Sequence, residues 1–203
     1  GQAVKQFTDF QNLNNNHTPA GWSFGLTQGT GNISNGRLNS VVVNGGAKLE
    51  RSITIPAKAW NVTIEWDASM RYTLWGGRNF LTVTVNGKTF DFINEYNKKS
   101  TYGDANTSFI RFNGKNLSTK TGAADFSDFH YEVQLTDNNT YYTITRISDG
   151  TVVFEHALKN YTINSEYIEN GGMILSDITT IQFNTQTTTD NDLWLDNLSI
   201  KVE

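Results

Sequence analysis

The sequence predicts an all-β fold, an antiparallel two-sheet β-sandwich of the jelly-roll kind, and three observations support this prediction. Short segments rich in β-branched and aromatic residues alternate with clusters of Gly, Asn and Asp along the 203 residues. Asn-Gly and Asp-Gly pairs stand between some of these segments, as tight hairpins require. Within the segments apolar and polar residues alternate, whereas helical periodicity is weak throughout.

Ten segments carry the strand pattern. In chain order they read "RLNSVVVNG", "KLERSITIP", "WNVTIEWDASM", "FLTVTVNG", "TSFIRFNG", "FHYEVQLTDNN", "YYTITRISDG", "TVVFEHAL", "TTIQFNTQ" and "LWLDNLSIKV". Between them, Asn86-Gly87 and Asp149-Gly150 each predict a type I′ hairpin, because both central residues of that turn take a positive φ. Residues 137–139 predict a third hairpin.

Composition limits both the domain count and the partners. The chain has 2 prolines and no low-complexity linker, so residues 1–203 are predicted to form one domain. A net charge of −4 with scattered basic residues argues against a nucleic-acid partner, and no apolar run approaches the roughly 20 residues of a membrane span. Cysteine is absent, which excludes thiol chemistry. A secreted or cell-surface bacterial protein is the expectation.

Two segments place polar side chains opposite a fully apolar face. In "NVTIEWDASMRY" the alternation puts Trp66 on the apolar side and Glu65 and Asp67 on the other. In "FHYEVQL" it puts His130 and Gln134 on the polar side. Several strands would therefore present hydrogen-bonding groups from one sheet face, which predicts a polar cleft.

A cluster of arginines and aromatics stands in "SMRYTLWGGRNF", between two predicted strands. Trp75 and Tyr72 offer flat rings for the apolar faces of a sugar, and Arg71, Arg78 and Asn79 offer hydrogen bonds to its hydroxyls or to a uronate carboxylate. This pattern predicts a saccharide site. The alternative is a loop that folds back onto the sandwich, with its arginines paired to the acidic residues of the preceding strand.

The remaining tryptophans lead to different predictions. Trp66 lies on the apolar face of its strand, and Trp22 follows a turn in "PAGWSFG", so core packing is favoured for both. Trp60 begins a strand and either caps one end of the sandwich or is exposed.

Asp9 in "FTDFQN" and Asp196 in "LWLDNLSIKV" lie near the two ends of the chain, in segments that sandwiches commonly pair. Strict alternation would put Asp196 on the same side as Trp194, Leu198 and Ile200, facing the core. A carboxylate there needs a cation or hydrogen bonds. A structural Ca²⁺ held by Asp9 and Asp196 is one hypothesis, and an aspartate that accepts backbone N–H bonds at a strand bend is the other.

The opening "FTDFQN…GWSFG", the long all-β run and the closing "DLWLDNLSIKV" resemble the jelly-roll carbohydrate-binding modules of bacterial polysaccharide-degrading enzymes. They also resemble the wider group of concanavalin A-like lectins and glucanases. The resemblance implies a calcium-ligating role for Asp196 and, more weakly, for Asp9. It covers the whole chain as architecture, although residues 94–125 depart from the compact modules.

The resulting functional prediction is non-catalytic binding of a plant or algal cell-wall polysaccharide by a monomeric module of a larger enzyme. The alternative is a lyase or hydrolase of the same fold, with Glu65 and Asp67 as paired acids or with Arg71 and His130 in proton transfer. Tyr141 or Tyr142 could serve as the base of a lyase. The acid-rich strand of the related hydrolases is incomplete here, because its third position is Ser69.

Overall fold

The computed structural model describes residues 4–8, 11, 13, 21–28, 31–34, 36–40, 46–69, 77–98, 107–112, 115–121, 128–159, 174–187 and 193–203. These residues form strands in two antiparallel sheets, so the all-β sandwich prediction is confirmed. A 3-10 turn at Leu175–Asp177 is the only helical element among them. No helix of this described part is long and apolar enough to cross a membrane.

Fifteen strands are described. In chain order they are β1 (Val4–Thr8), β2 (Ser23–Gln28), β3 (Gly31–Ser34), β4 (Arg37–Ser40), β5 (Gly46–Ser52), β6 (Val62–Ser69), β7 (Gly77–Val85), β8 (Lys88–Lys98), β9 (Thr107–Phe112), β10 (Lys115–Thr121), β11 (Asp128–Leu135), β12 (Asn139–Arg146), β13 (Val152–Lys159), β14 (Ile178–Thr187) and β15 (Leu193–Val202).

The eight-stranded sheet has the order β13-β12-β11-β6-β15-β4-β3, with β1 paired to β15 beside that row. The seven-stranded sheet has the order β10-β9-β8-β7-β14-β5-β2. Consecutive strands β6 and β7 therefore belong to different sheets. The long-range pairing of β11 with β6 is the contact that creates the polar surface described below.

The core lies between the sheets and is built around aromatic rings. Trp66 of β6 stacks on Tyr131 of β11, with ring centroids 5.0 Å apart, and meets Phe183 of β14 edge-on at 5.3 Å. Trp22 packs on the same Phe183 at 5.8 Å. Offset and edge-on ring contacts add to the free energy of burying these large side chains. The predictions of core positions for Trp66 and Trp22 are confirmed.

Period-two alternation sorts the faces of β6 and β11 as the sequence predicts. The alternate apolar residues are buried, and the residues between them are partly exposed. The buried residues are Val62, Ile64, Trp66 and Ala68 of β6 and Phe129, Tyr131, Val133 and Leu135 of β11. The outward residues form the opposite face of the eight-stranded sheet.

The predicted hairpins form, but one has a different turn. Asn86 and Gly87 have φ values of 52° and 74° and join β7 to β8, as a type I′ turn requires. In the turn between β12 and β13 only Gly150 has a positive φ, of 71°, and residues 147–150 form a longer loop. There the Gly150 N–H donates to the Arg146 carbonyl at 2.9 Å. The type I′ prediction at Asp149-Gly150 is therefore wrong, although the hairpin itself is present.

A β-bulge in β15 corrects the predicted orientation of Asp196. Asp196 pairs with Asp67 and Ser199 with Glu65, so two residues of β15 face one residue of β6. Asn197 takes a φ of 52° at this bulge, a conformation that Asn tolerates better than most residues. The extra residue reverses the alternation, so Asp196 faces outward with Asp67 and not toward the core.

Candidate functional site

The outer face of the eight-stranded sheet carries a continuous row of polar side chains across β6 and β11. We call this row the polar stripe, and its members are Thr63, Glu65, Asp67, His130, Glu132 and Gln134. Directly opposed pairs in the β6–β11 register bring His130 to Asp67, Glu132 to Glu65 and Gln134 to Thr63. The four stripe residues predicted from the sequence (Glu65, Asp67, His130 and Gln134) therefore do share one face.

At one end of the polar stripe, His130 bridges two carboxylates. Its Nδ1 lies 2.7 Å from Asp67 Oδ1, and its Nε2 lies 3.0 Å from Glu65 Oε1. When both ring nitrogens contact carboxylate oxygens, the doubly protonated imidazolium satisfies both contacts as donor. The three side chains are partly buried, with exposed fractions of 38% for His130, 28% for Glu65 and 21% for Asp67.

The pKa of His130 rises from its ordinary 6.5 to about 9 in this setting. The hydrogen bond to Asp67 is the largest cause, and the bond to Glu65 and both negative charges act in the same direction. Burial opposes the shift, because it disfavours a charged ring. His130 is therefore charged at neutral pH.

Asp67 is held from a second side by the bulge of β15. Asn197 Nδ2 donates to Asp67 Oδ2 at 2.9 Å, while the backbone N–H of Asn197 donates to Asp196 Oδ1 at 2.8 Å. Both carboxylate oxygens of Asp67 thus have fixed donors. The bulge orients the polar stripe, in addition to reversing the alternation of β15.

Glu132 occupies a less favourable position in the middle of the stripe. It lies directly opposite Glu65 on the neighbouring strand. Burial, followed by the charge of Glu65, raises the pKa of Glu132 above its usual value, and the charge of His130 only partly offsets this. Like charges in directly opposed positions destabilise a sheet.

At the other end of the stripe, Asn61 is the centre of a hydrogen-bond network. Its Nδ2 donates to Thr63 Oγ1 and to Glu203 Oε2, each at 2.9 Å, and its Oδ1 accepts a bond from Gln134 Nε2 at 2.7 Å. Glu203 Oε1 in turn lies 3.0 Å from Lys201 Nζ. Asn61 is only 1% exposed, so its amide fixes the positions of the groups around it.

The arginine–aromatic cluster is only partly covered by the described structure. Arg71, Tyr72 and Trp75 lie outside the described residues, and so do the side chains of Arg78 and Asn79. The backbone of Arg78 and Asn79 belongs to β7 of the seven-stranded sheet, whereas the polar stripe lies on the other sheet. The sugar-binding role of the cluster stays a prediction.

The geometry of the stripe does not suit the catalytic alternative. Both proposed acids, Glu65 and Asp67, are bound to one imidazolium, and a charged His130 cannot accept a proton. Tyr142 is buried, and burial raises its pKa well above the usual value, so it is not available as a base. Tyr141 faces outward and is 40% exposed.

The described residues support the hydrogen-bonded alternative for Asp196. Its Oδ1 accepts the Asn197 N–H at a strand bulge, as that hypothesis requires. Within the described ranges no group of three or more His, Asp or Glu side chains could hold a metal ion. Asp9 lies outside those ranges, so calcium binding by Asp9 and Asp196 stays a prediction.

Sequence reasoning missed Asn61 and Asn197, and it left Trp60 undecided. Asn61 stands out only as part of an Asn-Val-Thr triplet, and its burial shows that this triplet is not a glycosylation acceptor. Trp60 is 62% exposed in the structure. A signal for the bulge was present in the Asp-Asn pair of "LWLDNLSIKV", because both residue types favour irregular backbone.

Solved structures with a similar architecture include lectins and a CBM2 module. The CBM2 module of the evolved Dit of Lactobacillus casei BL23 phage J-1 matches with a TM-score of 0.61 and 10% identity over 98% of this chain and 95% of that chain. Lectin II from Ulex europaeus matches with a TM-score of 0.62 and 10% identity, over 98% and 97% of the two chains.

A third similar structure is the exoplasmic/lumenal domain of VIP36 in its Ca²⁺/Man2-bound form. It matches with a TM-score of 0.55 and 12% identity, over 95% of this chain and 84% of that chain. No protein-family model matches the sequence, and no curated protein matches it. At these identities the likeness shows a lectin-like sandwich fold.

Proposed function

We propose that this chain is a non-catalytic carbohydrate-binding domain that holds a plant or algal cell-wall polysaccharide against the polar stripe. The observation that carries the proposal is the set of hydrogen-bonded polar groups on the outer face of the eight-stranded sheet. His130 fixes Glu65 and Asp67, and Asn61 fixes Gln134. The similar solved structures, whose names include lectins and a carbohydrate-binding module, support the same class of ligand.

Fixed hydrogen-bonding groups favour sugar binding for an energetic reason. A sugar hydroxyl exchanges bonds to water for bonds to protein, so the net gain of each bond is small. Side chains that are already held in place lose little conformational entropy when the ligand arrives. A stripe whose carboxylates and amides are positioned by their neighbours therefore retains more of that gain than a set of mobile side chains.

The direct test compares two glutamates on opposite sheets. Glu65→Gln keeps the shape of the stripe but removes a charged acceptor, and we expect affinity for a bound polysaccharide to fall about three- to tenfold. Glu50→Gln makes the same change on β5 of the seven-stranded sheet, opposite Gln182 of β14, and should leave affinity unchanged. Affinity electrophoresis over a panel of cell-wall polysaccharides measures both variants.

Three outcomes would contradict the proposal. Failure of the unaltered chain to bind any polysaccharide in the panel would remove the carbohydrate-binding function. Full affinity in Glu65→Gln would remove the stripe from the site. Loss of affinity in Glu50→Gln alone would move the site to the seven-stranded sheet.

The arginine–aromatic cluster is proposed as a second contact for the same polysaccharide. Trp75→Ala should then abolish retention on an insoluble or gel-immobilised polysaccharide and leave the thermal midpoint nearly unchanged, because a ring stacked on a ligand contributes little to folding. Retention equal to that of the unaltered chain would exclude Trp75 from the site.

The proposal also covers the larger protein in which this domain would act. A domain that only binds polysaccharide is useful when it brings a catalytic domain to its substrate, so we propose that this chain acts as a monomeric module of a secreted or cell-surface bacterial enzyme. Incubation of the chain with neutral and uronate-containing glycans should release no reducing ends and no unsaturated products. Product release would replace the proposal with the lyase or hydrolase alternative.

A further inference from the structure

The strongest unexplained feature outside the charged part of the stripe is the exposed ring of Trp60. Trp60 is 62% exposed, the largest exposed fraction among the exposed large apolar side chains of the described residues. Its backbone is nevertheless fixed, because its N–H donates to the Glu203 carbonyl at 2.8 Å. Two further backbone bonds, of 3.4 and 2.9 Å, join the next residue, Asn61, to Glu203. A large apolar ring held in water on a fixed backbone is typical of a binding site.

Trp60 directly precedes the amide network at the neutral end of the stripe. The Asn61 side chain accepts a bond from Gln134, and Gln134 lies directly opposite Tyr141 in the β11–β12 register. Tyr141 faces the same side and is 40% exposed. A fixed amide therefore lies between two segments that carry exposed aromatic rings.

Gln134 has hydrogen-bonding capacity to spare. One N–H of its amide is used by Asn61 Oδ1, and among the described residues its Oε1 accepts no hydrogen bond. A free acceptor and a second N–H on a fixed amide can bind two hydroxyls of one sugar ring. The exposed aromatics supply the flat surface that the apolar face of such a ring needs.

The charge of the stripe narrows the class of ligand. Three carboxylates, those of Glu65, Asp67 and Glu132, accompany a single imidazolium, His130. Lys201 is already paired with a carboxylate at 3.0 Å. The stripe therefore has an excess of negative charge, which repels a polyanion and leaves uncharged sugars unaffected.

From these observations we infer that Trp60, Tyr141 and Gln134 form a stacking subsite at the neutral end of the polar stripe, and that the ligand is an uncharged polysaccharide. The inference rests on the proposed function and specifies it further. It selects neutral polymers over acidic ones, two classes of ligand that the sequence alone did not distinguish.

The test measures binding of Trp60→Ala to two groups of soluble polymers. The neutral group is hydroxyethylcellulose, xylan and glucomannan, and the acidic group is polygalacturonate and alginate. We expect the unaltered chain to bind a neutral polymer and Trp60→Ala to bind it at least about tenfold more weakly, as for a central aromatic contact. Ile174→Ala is the matched control, because Ile174 is an exposed apolar residue outside the stripe, with 48% exposure.

A second readout follows the ring itself. Acrylamide quenching of tryptophan fluorescence should decrease when the neutral polymer is added, and at saturating polymer this protection should be smaller in Trp60→Ala than in the unaltered chain. The thermal midpoint of Trp60→Ala should match that of the unaltered chain, since the ring is mostly in solvent.

The outcomes separate this inference from the proposed function. If the chain binds glycans and Glu65→Gln weakens binding while Trp60→Ala does not, the proposed function stands and the subsite is refuted. Tighter binding of the acidic polymers than of the neutral ones refutes the ligand class. Absence of binding to every polymer refutes both.

Discussion

The two sheets of this sandwich both present polar outer faces, yet their side chains are organised differently. On the seven-stranded sheet, side-chain bonds join the two strands of one hairpin, and two longer-range bonds run from Asn86 to Asp177 and from Thr179 to the Thr84 carbonyl. Thr82 Oγ1 donates to Asp91 Oδ1 at 3.1 Å, and Thr84 and Thr89 approach within 3.2 Å, all inside the β7–β8 hairpin. On the eight-stranded sheet the bonds of His130 join strands 63 and 65 residues apart in the chain.

This difference shows that period-two alternation can predict a polar sheet face but cannot predict a binding site on it. Hairpin bonds form between neighbours in sequence and position few groups relative to one another. Bonds between β6, β11 and β15 fix several side chains at once, and they do so only when the tertiary structure is complete. We therefore expect substitutions on the eight-stranded face to affect both stability and binding. Substitutions on the seven-stranded face outside the arginine–aromatic cluster should affect neither strongly.

The largest difference in stability is expected between substitutions of two aspartates, one on each sheet. Asp67→Ala removes the acceptor of Asn197 and one of the two acceptors of His130, and should lower the free energy of unfolding by about 2–3 kcal/mol, because two hydrogen bonds are lost and one of them is to a charged ring. Asp91→Ala removes a single bond to Thr82 and should cost about 0.5–1 kcal/mol. Urea unfolding at neutral pH measures both, and equal losses would contradict the contrast between the faces.

The next effect is a loss of stability in alkaline solution. Because folding raises the pKa of His130 from 6.5 to about 9, the contribution of the imidazolium is fully present below pH 6.5 and is lost as the pH rises through 9. The ring is 38% exposed, so solvent screening limits the loss to about 1 kcal/mol or less. His130→Gln should remove this decrease of the unfolding free energy between pH 6.5 and 9. If the variant shows the same pH dependence as the unaltered chain, His130 is not the titrating group.

A smaller gain is expected from removing a charge. The pKa of Glu132 is raised, so its ionised form destabilises the fold at neutral pH, and Glu132→Gln should increase stability by about 0.2–1 kcal/mol. The gain should shrink as the pH falls toward 4.5, where Glu132 binds a proton anyway. Glu155→Gln is the control, because Glu155 faces Thr143 and not a carboxylate. A destabilised Glu132→Gln would mean that Glu132 makes a favourable contact.

The smallest effect concerns metal removal. Because Asp196 Oδ1 accepts the Asn197 N–H at the bulge, we expect the thermal midpoint to be the same in EDTA as in calcium. A drop of several degrees on chelation, restored by Ca²⁺, would instead support the hypothesis that Asp9 and Asp196 bind calcium.

The sequence predicted the fold and the inward and outward faces of β6 and β11, because both follow from local residue patterns. It did not identify β1, β2, β3 and β10, which have weaker apolar alternation, and it indicated β8 only through the hairpin predicted at Asn86-Gly87. Residues 94–125, which looked like an insertion, include the end of β8 and the strands β9 and β10 at the edge of the seven-stranded sheet.

The site was harder to predict, because it depends on register. His130 and Asp67 both pointed outward in the sequence pattern, but nothing local indicated that they would be direct partners across β11 and β6. A single extra residue at Asn197 was enough to reverse the predicted orientation of Asp196. The burial of Asn61 likewise depends on contacts with the far end of the chain, at Glu203.

Binding of polysaccharide to the outer face of the eight-stranded sheet can be measured by amide chemical-shift mapping during titration with a neutral polysaccharide. We expect the perturbed amides to belong to β6, β11 and the residues around Trp60 and Tyr141. The amides of β5 and β14 in the other sheet should be unperturbed. Perturbations concentrated in β5 and β14, with β6 and β11 unchanged, would contradict binding to the eight-stranded face.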